Sequence, residues 1–155
     1  MRRRHRPARV PRRAPAAALL TGLALVLTGC GAPEAPAGVS VSIVQGRTDI
    51  ARDMAGLRVA NEGPEAITVT SAVLRDPRLA SAPEWSGETE IPAGATRALR
   101  VAMPRPDCTA QTETPAPRAL LRFGGPGGDA ASEYRVDDPY DLLSRHLDAA
   151  CPAGR

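Results

Sequence analysis

"LRVANEGPEAITVTSAVL", residues 57–74, contains two alternating stretches and the turn that joins them. Leu57 and Val59 fall on one side of an extended chain. After a turn at Asn61–Pro64, Ile67 and Val69 do the same, with Thr68 and Thr70 opposite them. Successive side chains of a strand point to opposite faces, so this period of two marks a strand buried on one side. The period recurs in both directions along the chain. Val39, Val41 and Ile43 alternate with Ser40 and Ser42; Leu99, Val101 and Met103 alternate about Arg100; Leu121 and Phe123 flank Arg122; Tyr134 and Val136 flank Arg135. With a weaker strand over Glu88–Ile91, the pattern predicts about seven short strands divided by Gly and Pro turns. That density, in roughly 100 residues, predicts an all-β antiparallel sandwich.

The same stretch, followed by "EIPAGATRALRVAM" (90–103), resembles bacterial immunoglobulin-like domains. In those domains a strand ending in Asn-x-Gly turns into its partner, and an Ile-Pro-x-Gly corner leads into another strand. The resemblance covers Leu57 to Met103 and implies an antiparallel immunoglobulin-like β-sandwich. The chain departs from antibody domains in lacking a Cys–Trp–Cys core, and its lone Trp85 is expected in the Pro-flanked loop "APEWSGE". One short C-terminal helix is expected in "VDDPYDLLSRHLDAAC" (136–151). Asp138 can cap it, Pro139 suits the first helical position, and Asp141 falls where a capping box wants an acid. Leu143, Leu147 and Ala150/Cys151 then form one apolar stripe, and Pro152 stops the helix.

The opening residues have a different character. "MRRRHRPARVPRRAP" carries seven arginines and no acid, and Ala16–Leu27 has no charge at all. That apolar run suits the core of a signal peptide and is short of the ~20 residues a membrane span needs. Leu27-Thr28-Gly29-Cys30 resembles the lipobox of bacterial lipoproteins. The resemblance implies cleavage between Gly29 and Cys30, and a covalent diacylglycerol on the Cys30 sulfur as the only attached group. "GAPEAPAG" (31–38) then reads as a spacer. The expected organisation is a signal peptide over 1–29, a lipidated cysteine and flexible tether over 30–38, and the β domain with its helix over 39–155.

Cleavage reverses the charge. The full chain is formally +3, but all seventeen acids lie after Cys30 while seven of the twenty basic residues precede it. Thirteen arginines against seventeen acids leave a mature domain of −4, so the basic whole-chain balance does not point to nucleic acid. Every basic residue is Arg and none is Lys; with the Ala, Pro and Gly richness, this suggests a high-GC, actinobacterial source.

In an exported domain the remaining cysteines, Cys108 and Cys151, are expected to form a disulfide. His146, the one histidine after Cys30, has no carboxylate at helical i±3 or i±4 spacing and reads as a solvent-facing residue. "GGPGG" (124–128) lacks the Gly-Lys-Ser/Thr ending of a phosphate loop and reads as a hairpin turn. No residue pattern calls for catalysis or a metal. Two features suit partner contact. Arg58, Arg100, Arg122 and Arg135 all sit at outward positions and form one basic face if their strands share a sheet. Trp85 in its loop is an anchor of the kind enriched in binding hot spots. The expectation is a non-catalytic binding or scaffolding module. It would be anchored to membrane lipid on the outer face of the cytoplasmic membrane and meet an envelope protein or an anionic wall polymer. A small-ligand carrier with a pocket near Trp85 is the alternative.

Overall fold

The computed structural model describes residues 34–109, 116–125 and 128–151. Gly29, Cys30 and the leader before them lie outside the described residues. The alternating stretches are strands: β1 (Val39–Val44), β2 (Met54–Asn61), β3 (Ile67–Arg75), β4 (Glu84–Ile91), β5 (Thr96–Ala102), β6 (Arg118–Gly124) and β7 (Ala130–Asp137). Two helices complete the set: α1 (Arg47–Ile50), which the sequence pattern did not anticipate, and α2 (Leu142–Ala150). The strands form one seven-stranded sheet in the order β4-β3-β6-β7-β1-β2-β5, and its edges β4 and β5 approach each other, so the sheet is nearly barrel-shaped. Its inward residues are those the period of two selects: Val41, Ile43, Leu57, Val59, Val69, Leu99, Val101, Leu121 and Val136 are all buried. Each such side chain contributes about 1.5–3 kcal/mol by leaving water.

The expected wholly antiparallel arrangement fails at one place. β1 runs parallel to β7, with Val41 opposite Val136 and Ser42 opposite Asp137. Consecutive strands joined by a tight turn must be antiparallel, but β1 and β7 are the first and last strands and no turn dictates their relative direction.

Strand β3 changes parity midway, because Ile67 and Val69 point inward before the change, and Ala72 and Leu74 after it. A bulge allows this: two steps on β3, Val69 to Ser71, match one step on β6, Phe123 to Arg122, leaving Thr70 as the extra residue. The Thr70 hydroxyl donates back to the Arg122 carbonyl at 3.3 Å.

Trp85 lies on strand β4 opposite Ala72, not in a loop, and β4 begins at Glu84 rather than near Glu88. Pro83 and Gly87 made this segment read as a turn. Pro83 only precedes the strand, however, and its carbonyl accepts from Leu74 N–H at 3.0 Å. A Cβ at Gly87 would come within 2.9 Å of the Trp85 ring, so the indole lies over the space that the glycine leaves. Trp85 is half-buried against the core.

Helix α2 starts three residues later than its cap suggested. Asp138 Oδ1 accepts from Leu142 N–H at 2.7 Å and Oδ2 from Leu143 N–H at 2.9 Å. The carboxylate therefore serves two first-turn donors from across the Pro139–Asp141 turn. Asp141 takes the helix-flanking position itself, in left-handed backbone at φ 50°, so it supplies no capping box. The stripe is Leu143, Leu147 and Cys151 with His146 added, while Ala150 is exposed.

The end of the segment predicted as a tether is part of the folded body. Gly38 carbonyl accepts from Glu62 N–H at 2.7 Å, and Pro36 carbonyl from the Tyr134 hydroxyl at 3.5 Å. Burial holds the Tyr134 phenol above its usual pKa, and its ring meets Phe123 edge-on at 6.2 Å. At Gly38 (φ +72°) a Cβ would lie 2.8 Å from Gly63 N, so two backbones touch at the entry to β1. Residues 36–38 thus pack on the domain.

Candidate functional site

The strand directions give the domain two unlike ends. β1 starts at Val39, where the tether enters, and runs towards Val44; each antiparallel neighbour therefore contributes one terminus to each end. The entry end holds the turns at residues 62–66, 92–95 and the β6–β7 hairpin, which Gly128 N–H closes on Gly125 carbonyl at 3.0 Å. Its charged residues are Glu34, Glu62, Glu65, Glu90 and Asp129 against Arg97. The opposite end holds both helices and the disulfide.

Cys108 and Cys151 are joined there, with their Cα atoms 5.4 Å apart. Asp107 fixes the strand-side partner: its Oδ1 accepts from Thr109 N–H at 2.9 Å and from Thr109 hydroxyl at 2.6 Å. Those two bonds hold the Asp107 carboxyl below its usual pKa. The bridge and the helix stripe together press α2 across the mouth of the sheet.

Beneath α2 and beside α1 lies a cavity of about 550 Å³. Ile43, Ala55, Met103 and Leu142 make its apolar lining, and Ile50 and Tyr140 its lips. These lips are 61% and 63% exposed, and they are the two exposed large hydrophobic residues among those described. Apolar side chains scattered singly over a surface carry no message, but two flanking one apolar hollow form a contact patch. The backbone supports the same location. Asp53 and Asp141 are the two non-glycine residues with positive φ among those described, both at 50°. Asp53 lines the cavity and Asp141 stands between its lining residues Tyr140 and Leu142. Left-handed backbone is tolerated by Asp but still costs free energy, and such positions concentrate at binding sites.

Its polar lining residues are Gln45, Asp53, Arg145 and His146, with the Tyr140 hydroxyl at the lip. Gln45 is occupied, donating to Met54 carbonyl at 2.9 Å. His146 is half-buried rather than solvent-facing, with Nε2 3.0 Å from Pro104 carbonyl. A carbonyl only accepts, so Nε2 donates in this contact. Arg145 donates to Tyr140 carbonyl and so stiffens one lip. Apolar walls with an imidazole, a carboxylate and a guanidinium among them can hold an apolar group that carries a polar function. Among the described residues no group of three or more His, Cys, Asp or Glu comes together to hold a metal ion, and no helix is long and apolar enough to cross a membrane.

The four sequence-predicted arginines are all exposed. Arg58 and Arg100 stand on β2 and β5, Arg122 and Arg135 on β6 and β7, with β1 between the two sets. One sheet contains all four. Arg100 forms an ion pair with buried Asp49 of α1, whose other oxygen accepts from Gly46 N–H at 2.9 Å. Trp85 lies on β4 and does not line the cavity. Ile50 and Tyr140 left no sequence signal. Ile50 lies on a single-turn helix that has no periodicity to show, and Tyr140 sits in what looked like the first turn of α2.

No family model matches the chain, and no curated protein matches it. Among solved structures, the Pseudomonas fluorescens alkylpurine DNA glycosylase AlkC bound to DNA containing an abasic site analog is similar over 66% of this chain at 16% identity, with a TM-score of 0.27. The match spans 31% of that protein's length, and a likeness at this level carries no argument about fold or activity.

Proposed function

We propose that the chain is an extracytoplasmic lipoprotein of the cell membrane whose body is a non-catalytic binding module that engages its partner through the cavity between α1 and α2. Diacylglycerol on Cys30 would anchor it. Two acyl chains suffice for stable attachment, since each buried methylene contributes ~0.8 kcal/mol. Because residues 36–38 pack on the domain, only residues 31–35 separate Cys30 from the packed body, a reach of at most roughly 20 Å. A tether that short keeps the entry end beside the bilayer, and the acidic side chains there oppose its settling onto anionic lipid. The helical end then faces away from the membrane. In fold class we assign an immunoglobulin-like sandwich. The supporting features are the strand order, the pairing of β2 with β5 across the intervening strands, and the first and last strands side by side.

The observation that carries this reading is the pairing of Ile50 and Tyr140 at one apolar cavity, on the end opposite the tether. An envelope protein inserting an apolar side chain is the partner best suited to such lips. The cavity volume also lies within the range of small-ligand sites, which favours a carrier as the second reading.

A photoreactive amino acid at position 140 should form protein adducts in intact cells, while one at Arg122 should form none. Labelling confined to position 122 would remove the cavity from consideration, and a small-molecule adduct at position 140 would favour the carrier. Separately, Cys30→Ala should move the protein from the membrane fraction to the soluble one; retention on membranes would refute lipid anchoring.

A further inference from the structure

The outward faces of β3, β6 and β7 carry a row of arginines that single-strand alternation did not reveal. Arg75 is directly opposite Arg118, and Arg118 directly opposite Arg135. Directly opposed residues on adjacent strands have Cβ atoms about 5 Å apart, and like charges in that relation destabilise the sheet. All three side chains are exposed. Among the described residues one carboxylate lies within 4 Å of any of them: Glu133, shared between Arg75 at 3.3 Å and Arg118 at 3.4 Å. Among the described residues, three guanidiniums and one carboxylate leave two positive charges uncompensated within 4 Å.

Next to this row is a hollow of about 400 Å³, with Arg75 and Arg118 in its wall, Pro77, Leu79, Ala82 and Ala116 as its apolar lining, and Asp76 and Ser81 as its polar lining. Arg78 does not compete for an anion there. Asp76 takes its Nε at 2.9 Å and its Nη2 at 2.7 Å, and that pairing raises the Arg78 pKa. The neighbouring loop is thus neutral and fixed, while the row beside it is cationic.

We propose that Arg75, Arg118 and Arg135 form a site for an amphipathic phosphate monoester, with the phosphate on the arginine row and its apolar body in the adjoining hollow. A phosphate monoester carries about −1.5 to −2 charge at neutral pH, which matches the uncompensated pair. Planar guanidiniums engage its oxygens in parallel hydrogen bonds. The row is at the ends of β3 and β7 and the start of β6, the helical end of the sheet, so the site faces away from the tether. It is separate from the cavity under α2, and its test does not depend on that cavity.

The test is calorimetric titration of the purified full chain at low ionic strength with octyl phosphate, inorganic phosphate and octyl glucoside. Octyl phosphate should bind about tenfold or more tightly than inorganic phosphate, because the alkyl chain leaves water. Octyl glucoside, which has the chain without the charge, should give no comparable binding. Arg118→Glu should weaken octyl phosphate binding about tenfold or more, whereas Arg122→Glu, on the same strand but outside the row, should not change it. Arg118→Gln should also weaken it and gives the answer if the charge reversal disturbs folding. Equal affinity for octyl glucoside, undiminished binding in both Arg118 variants, or no binding of octyl phosphate would each overturn the proposal. Equal affinity for inorganic and octyl phosphate would exclude the hollow as part of the site.

Discussion

Replacing Cys151 with serine should lower the melting temperature by on the order of 15 °C, since a domain of this size shifts about 4 °C per kcal/mol. The bridge spans a sequence separation of 43 residues. Closing such a loop in the unfolded chain is valued at about 4 kcal/mol by the chain-entropy account. That is a large share of the ~5–15 kcal/mol that ordinarily separates folded from unfolded protein. A further loss is local. Helix α2 has nine residues, too few to persist in water without packing. It is held by the buried Leu143, the two Asp138 bonds, the His146 contact and the bridge. The same fall should follow from reductant acting on the unaltered protein, and Cys108→Ser should match Cys151→Ser. A melt unchanged in the variants and under reductant would show that the bridge carries no stability.

The sequence displayed those parts of the fold that depend on one residue and its immediate neighbours. Alternation in Val39–Ile43, Leu57–Val59 and Leu99–Met103 is a local property, and the buried set follows it closely. The cysteine pair was legible because only two remain after Cys30. Relations between distant strands left no local trace. Nothing in Val41 or Val136 says that they lie side by side in parallel, and nothing in Arg118 says that Arg75 and Arg135 flank it. Outward direction can be read from a single strand, but the place of that strand in the sheet cannot. Trp85 was misplaced because Pro and Gly were read as turn residues, although the Pro precedes the strand and the Gly makes room for the ring. The cavity was hidden more deeply still, since its lips come from a single-turn helix and an irregular turn far apart in sequence.

Asn61 carries the second large prediction, and the sequence showed it only as a turn residue. The structure buries it to 1% exposure at the entry end. Its Nδ2 donates to Glu65 carbonyl at 2.7 Å and to Ile91 carbonyl at 3.0 Å, and its Oδ1 accepts from Gly63 N–H at 3.1 Å. Its backbone is engaged as well, N–H with Ala95 carbonyl at 2.9 Å and carbonyl with Gly94 N–H at 2.8 Å. One side chain therefore fastens the β2–β3 turn to the end of β4, beside the point where Gly38 meets Gly63. Asn61→Leu keeps the volume and removes all three side-chain bonds. The Ile91 carbonyl is buried and loses its partner, while the other two groups can reach water, so the cost should be about 3 kcal/mol. Asn61→Asp separates hydrogen bonding from shape. A carboxylate is isosteric but has no donor, so it would set negative oxygens against two carbonyls in a buried place. Burial and those carbonyls would hold the new carboxyl's folded pKa above its unfolded value of about 3.9. An acid with a raised folded pKa favours the folded state below the unfolded pKa and loses that contribution as pH rises through the folded pKa. Asn61→Asp should therefore be most stable relative to the unaltered protein in acid and should weaken progressively towards neutrality, as followed by denaturant midpoints across pH. A stability difference that stayed flat with pH, together with an Asn61→Leu variant as stable as the unaltered protein, would show that the two turns hold together without this side chain.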